Sequence, residues 1–367
     1  MSTLKTTNLQ NASAASPAIV LAADGSATAN LSSVNGGPLS GMRNRILNGD
    51  MRLDQRNAGA SVTPTGDVTY TVDRWLIRNY GGTGRFSVQQ DSVSPNGIDP
   101  SAKLTVTTTD TPGTYGYAFS QRVEGYNFSQ FAYGTAAAKS ATISFWVRSS
   151  VTGTYCFSIR NSNGDRSYVA EYSISSANIW EYKTITVAGD TSGTWLTTNG
   201  TGALLEWSLG SQTAKETTAG SWQAGNYVGT SNQTDWIVTN GATFYITGVQ
   251  LEPGTTATPF ERRSFGQELA LCQRYFQKLT LAPLGWAFNI RHLYQPIYAL
   301  KTTMRATPTL ASGATYTVSA GSAGTPTLNP NATAGTSTQD SVYFWNVAAN
   351  WSGGEYAAVT CGLSSEL

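Results

Sequence analysis

The stretch ATISFWVRSSVTGTYCFSIR, Ala141 to Arg160, decides the fold. Ile143, Phe145 and Val147 alternate with other residues, and Tyr155, Phe157 and Ile159 then do the same. A period of two belongs to a strand, whose successive side chains leave on opposite faces. If Ile143, Phe145 and Val147 claim the apolar face, Trp146 points the other way, beside Arg148. A flat indole on an outward strand face is a candidate platform for the apolar side of a pyranose. The competing role is contact with a neighbouring chain or loop.

The same signal recurs on both sides. Leu47, Met51 and Leu53 share one parity in NRILNGDMRLDQR, and Leu104 and Val106 alternate in AKLTVTTT. Tyr115, Tyr117 and Phe119 follow, then Leu205, Trp207 and Leu209, then Tyr245, Thr247, Val249 and Leu251. Turn pairs such as Asn163-Gly164 and Asn199-Gly200 separate the runs. Many short strands with no helix among them predict an all-β antiparallel jelly-roll sandwich over residues 42–263.

A helix signal comes next. Ser264 with Gln267 makes a capping box. Phe265, Leu269, Cys272 and Phe276 are spaced four, three and four, one stripe of a helix reaching Gln277. So short a helix is marginal alone, so the stripe is expected to pack on its own chain's domains or against copies of itself. Strand signals resume afterwards, so residues 279–367 read as a smaller C-terminal β domain joined by this connecting helix, 264–278. Residues 1–41 are small and polar, end in a Gly/Pro/Ser-rich linker, and cannot close a core alone.

Composition narrows the function. Of 367 residues, 40% are hydrophobic and 11% aromatic, which excludes a disordered chain. Only 12% are charged, about half the usual share. With a formal net charge of +1 and no basic run, phosphate-neutralising nucleic-acid binding has no support. Cys156, Cys272 and Cys361 lack metal-ligand spacing and read as free thiols. His292 matches no nucleophile motif, and no GxSxG or HExxH occurs. Glu124, Glu171, Glu181 and Glu206 lie near strand runs, and a glycosidase pair among them would have to meet in space. Asp50 and Glu252, near the two ends of the sandwich, are weak calcium candidates; no cofactor and no other metal is expected. No apolar stretch reaches transmembrane length, and the first residues lack the charged n-region of a signal peptide. The C-terminal domain is rich in aromatics, and Trp286, Tyr294, Trp345, Trp351 and Tyr356 join Trp146 and Arg148 as receptor- or glycan-binding candidates.

Four strings, MRNRILNGDMRLDQRNAGAS, YTVDRW, SFWVRSSVTGTY and GATFYITGVQLEPGTTATPFERRSFGQELALCQRYF, together resemble bacteriophage tail-fibre proteins. Their central region is similar to the jelly rolls of carbohydrate-binding modules. The resemblance covers about residues 42–278; outside it, LKTTNLQNASAASPAIVL, TMRATPTL and the closing Ser-Glu-Leu also look familiar. It implies a non-enzymatic homotrimeric fibre of the virion, made in the host cytoplasm without a signal peptide. Residues 1–41 would attach to other tail proteins, and residues 279–367 would recognise a host cell-surface glycan without cleaving it. The rival expectations are a depolymerase using two carboxylates and a purely architectural decoration protein.

Overall fold

The computed structural model describes residues 42–281 except 96, 114 and 115, then 286–289, 292–294, 298–310, 315–319, 341–342 and 356–367. It also describes three short antiparallel strands, Asn8–Leu9, Ile19–Leu21 and Ala27–Ala29.

The sandwich is built from β1 (Val68–Tyr70), β2 (Trp75–Asn79), β3 (Arg85–Asp91), β4 (Ser101–Thr108), β5 (Tyr117–Glu124) and β6 (Ala141–Ser149). The second half adds β7 (Gly153–Arg160), β8 (Arg166–Ile174), β9 (Glu181–Val187), β10 (Thr201–Gly210), β11 (Trp222–Ala224) and β12 (Thr243–Pro253). One sheet has seven strands in the order β11-β8-β7-β10-β5-β2-β1, the other five in the order β9-β6-β12-β4-β3. Every pairing is antiparallel. This is the all-β jelly-roll architecture that the alternation predicts.

Register lines up the core. Ile77, Phe119, Trp207 and Phe157 are cross-strand partners in one row of the larger sheet. Phe145 of the smaller sheet meets Trp207 edge-on at 5.6 Å, and Trp75 stacks on Phe119 at 5.0 Å. The edge-to-face pair joins the two sheets, while the stacked pair lies within the larger one, and both add to the burial of their area. Cys156 and Cys272 are free and buried.

Two expectations from the sequence are corrected. Leu47, Met51 and Leu53 are buried, but residues 42–67 contain no strand. Asn48 and Met51 take positive φ of 54° and 58°, which a strand cannot hold. Side chains there do the work of a ladder. Gln121 receives Leu47 N at 3.0 Å and donates to Leu47 O at 2.9 Å. Asn48 accepts from Leu53 N at 2.9 Å and donates to Leu53 O and Asp73 O at 2.8 and 2.9 Å.

The helix is also shorter than its stripe suggests. It runs Phe265–Gln273, capped by Ser264 Oγ accepting from Gln267 N at 3.3 Å. Cys272 is buried and Leu269 half-buried against Leu47, Leu53 and Tyr275, but Phe265 is exposed. Phe276, buried, opens the strand Phe276–Leu281, which pairs with Tyr356–Ser364. Backbone groups after Tyr275 are satisfied by this distant partner, so a further helical turn has no advantage. The strand Tyr356–Ser364 also pairs with Thr309–Leu310 and Thr315–Ser319, forming a smaller C-terminal sheet.

Residues 365–367 then return to the sandwich. Glu366 pairs with Arg56 at 2.9 Å and with Arg74, whose guanidinium lies 3.5 Å from the Tyr275 ring centroid. Tyr70 and Arg122 donate to Leu367 O, and Ser365 N donates to Tyr275 O at 2.8 Å. Beside them Arg274 grips Glu124 through two hydrogen bonds of 3.1 and 2.7 Å. Arg74 is 1% exposed, so its charge depends on Glu366. Glu366→Ala is expected to cost about 3–5 kcal/mol, the penalty for a buried charge left alone, measured by urea unfolding. In the same cluster burial pushes the Asp73 carboxyl up to about 6, against the opposing pull of Arg56 and Gln55. The protonated acid is the form the fold favours. Its contribution is therefore full below the ordinary value of 3.8 and fades as pH rises through about 6. Asp73→Asn is expected to flatten the dependence of melting temperature on pH across that window.

Candidate functional site

The outward face of the five-stranded sheet is fixed by the same alternation that fills the core. In β6, Phe145 and Val147 are buried inward, so Trp146 and Arg148 face out, both half-buried. Register places Tyr182 of β9 and Thr247 of β12 on either side of Trp146. The next row carries Arg148, Tyr245 of β12, Lys103 of β4 and Gln89 of β3.

The result is a shelf of rings. Trp146 lies 5.2 Å from Tyr182, tilted by 47°, and Trp180 meets Tyr245 edge-on at 6.1 Å. Tyr182 is 45% exposed and Trp180 half-buried, while Tyr245 is buried as a floor beneath Arg148 and Lys103. The guanidinium of Arg148 sits 5.0 Å from the Tyr245 centroid and the Lys103 ammonium 5.7 Å. Arg148 Nε donates to Asn178 O at 2.8 Å, and Lys103 pairs with Asp91 at 3.4 Å. Burial lowers the Lys103 pKa, but Tyr245 and Asp91 more than offset it, so the value lies above the ordinary one and the ammonium stays charged. Ile98 walls one side, and Thr247 Oγ1 donates to Pro100 O at 2.7 Å, tying in that loop.

A bulge in β12 makes the shelf possible. Pairing with β6 shifts between Thr247 and Gln250. Before the shift Phe244 and Ile246 point into the core; after it Val249 and Leu251 do. The sequence parity that groups Tyr245 and Thr247 with Val249 and Leu251 is therefore split, and Tyr245 faces outward. Gly248 takes φ +61°, and a Cβ there would lie 2.8 Å from Ile98 Cδ1 and 3.1 Å from Trp146 Cδ1. Bulges commonly re-aim side chains at sites.

Of the candidate residues named from sequence, the structure brings Trp146 and Arg148 together on this shelf. Tyr182, Trp180 and Tyr245 escaped notice, although the alternation of Trp180 and Tyr182 just before KTITV could have flagged two of them. Trp286 and Tyr294 are register partners in the paired strands Trp286–Asn289 and His292–Tyr294, and Tyr356 opens the strand to Ser364. Trp345 and Trp351 lie outside the described residues. Asp50 pairs with Arg52 at 3.1 Å. Glu252 lies 3.7 Å from Arg43 and accepts from Thr258 N at 2.8 Å. Among the described residues no group of three His, Cys, Asp or Glu converges as a metal site would require.

The four glutamates flagged from sequence share no partner. Glu206, fully buried, is held by Arg160, by Arg78 at 3.0 Å and by Tyr80 at 2.7 Å. Glu124 binds Arg274 and Tyr275. Glu171 accepts from Thr230 and from Asn232 at 3.2 Å, and Glu181 pairs with Lys183 at 2.6 Å.

No family model matches the chain, and no curated protein matches it. Among solved structures it is similar to a family 4 carbohydrate-binding module, at 16% identity, 56% of this chain, 97% of that one and a TM-score of 0.30. The family 11 module of a Clostridium thermocellum cellulosomal cellulase gives 14%, 54%, 98% and 0.27. The enzymatically active domain of tailspike protein 4 from bacteriophage CBA120 gives 14%, 59% and 0.29, and the chain spans 22% of that protein's length.

Gly248→Ala tests the bulge. Forcing a Cβ into the left-handed region costs about 1–2 kcal/mol and must displace Trp146 or Ile98. Urea unfolding should show that loss, and tryptophan fluorescence should shift as the shelf rearranges.

Proposed function

We propose that this chain is a bacteriophage tail-fibre protein that binds a host cell-surface glycan and leaves it intact. The observation that carries the glycan reading is the shelf of Trp146, Tyr182 and Trp180 beside the buried Tyr245, because aromatic rings held outward on a rigid sheet offer flat apolar area at little entropic cost. The C–H faces of a pyranose stack on such rings, while Thr247, Gln89 and Arg148 border them with polar groups. The ordered motif strings support the virion assignment. In this reading residues 1–41 anchor three copies of the chain to the tail. Exposed Phe265 is a contact between copies, and residues 279–367, with Trp286, Tyr294 and Tyr356 in their strands, add a second receptor-binding surface.

Purified full-length protein is expected to sediment with the mass of three chains and to bind bacterial surface polysaccharides in affinity gels. Trp146→Ala and Tyr182→Ala are each expected to weaken that binding by about tenfold, roughly 1.4 kcal/mol. Their melting temperatures should change little, because both rings are partly exposed. Unaltered binding by both variants would falsify the shelf as the glycan site. Release of reducing sugar from the polysaccharide would replace the reading with the depolymerase.

A further inference from the structure

The shelf has a charge of its own in a chain that carries few. Two cations, Arg148 and Lys103, flank the Tyr245 ring as its cross-strand neighbours on β6 and β4. Asp91 answers only Lys103. Among the described residues no carboxylate pairs with Arg148, whose Nε is committed to Asn178 O while its two Nη groups head the fork. Many other arginines do the opposite, although Arg85 too donates to carbonyls, those of Gly82 and Gly84. Arg56, Arg74, Arg78, Arg160, Arg166, Arg263 and Arg274 all engage carboxylates. An arginine held in place from two sides, by a ring below and a carbonyl at Nε, loses little freedom when it binds. Its planar fork suits a carboxylate bidentately.

We propose that the shelf selects acidic polysaccharides, binding pyranose units that carry a carboxylate. The sugar ring stacks on Trp146 and Tyr182, and its carboxylate accepts from the Nη pair of Arg148, with Lys103 contributing field from the adjacent strand. This rests on the glycan reading of the same face. A neutral sugar gains the stacking alone, so preference is set by Arg148 and affinity by the rings.

The test is affinity electrophoresis of the full-length protein in gels containing polygalacturonate, alginate, methyl-esterified polygalacturonate or a phosphomannan. Both carboxylated polymers should retard the wild type, with esterification weakening the interaction about tenfold or more. Arg148→Gln should lose that difference while keeping the residual binding to the esterified polymer. Arg148→Lys should recover only part of the difference, because it restores charge without the fork. Trp146→Ala should weaken binding to every polymer. Equal retardation by esterified and free polymer, with Arg148→Gln unchanged and Trp146→Ala weakened, overturns the acidic preference and leaves the glycan site standing. Phosphomannan binding as strong as polygalacturonate binding overturns the carboxylate assignment. If no acidic polymer retards the protein, the proposal is overturned, and Trp146→Ala without effect on any polymer overturns the glycan site as well. Thermal melts of each variant confirm that the fold is intact.

Discussion

A strand has two faces and cannot bury both against one core. The aromatic shelf of this molecule follows from that constraint. Because Phe145 must reach Trp207 across the sandwich, Trp146 must face the other way, and pairing with β9 and β12 decides which residues join it. The shelf is the reverse side of the core. Its rigidity is borrowed from the aromatic packing beneath, and a loss of core packing would loosen the outer rings as well.

Alternation made most of the sandwich legible, because β4, β5, β6, β7 and β10 carry their core residues at every second position. It failed where backbone groups are satisfied by something other than a ladder. Leu47, Met51 and Leu53 look strand-like in hydrophobicity, yet the backbone of Leu47 bonds to Gln121 and that of Leu53 to the Asn48 side chain. The end of the helix was equally hidden, since it is set by a strand more than eighty residues away. At the shelf, Trp146 and Arg148 could be read because their neighbours in sequence are plainly core. Tyr245 could not, because the shift at Gly248 reverses the face assignment midway along β12, and a local period carries no record of a register change.

The sparse charge acquires a meaning in the structure. With so few ionisable groups, the chain places several of its arginines inside, at Arg74, Arg160 and Arg263, each against a carboxylate. Buried pairs of this kind add little net stability but penalise any arrangement that separates them. Arg263 shows the use: it spans Glu268 on the helix and Ile46 O in the irregular segment, fixing one against the other where apolar contact alone would allow sliding.

The return of residues 365–367 to the sandwich has a consequence in time. Arg74 and Glu366 are separated by 292 positions, yet the first is buried among residues made early. While the chain is being synthesised, the sandwich sequence is complete long before the carboxylate that neutralises its interior arginine exists. A nascent sandwich thus carries an uncompensated charge until Glu366 has been made and docked. Chains broken off short of residue 366 never receive that carboxylate, which leaves them easier to unfold than chains that carry it.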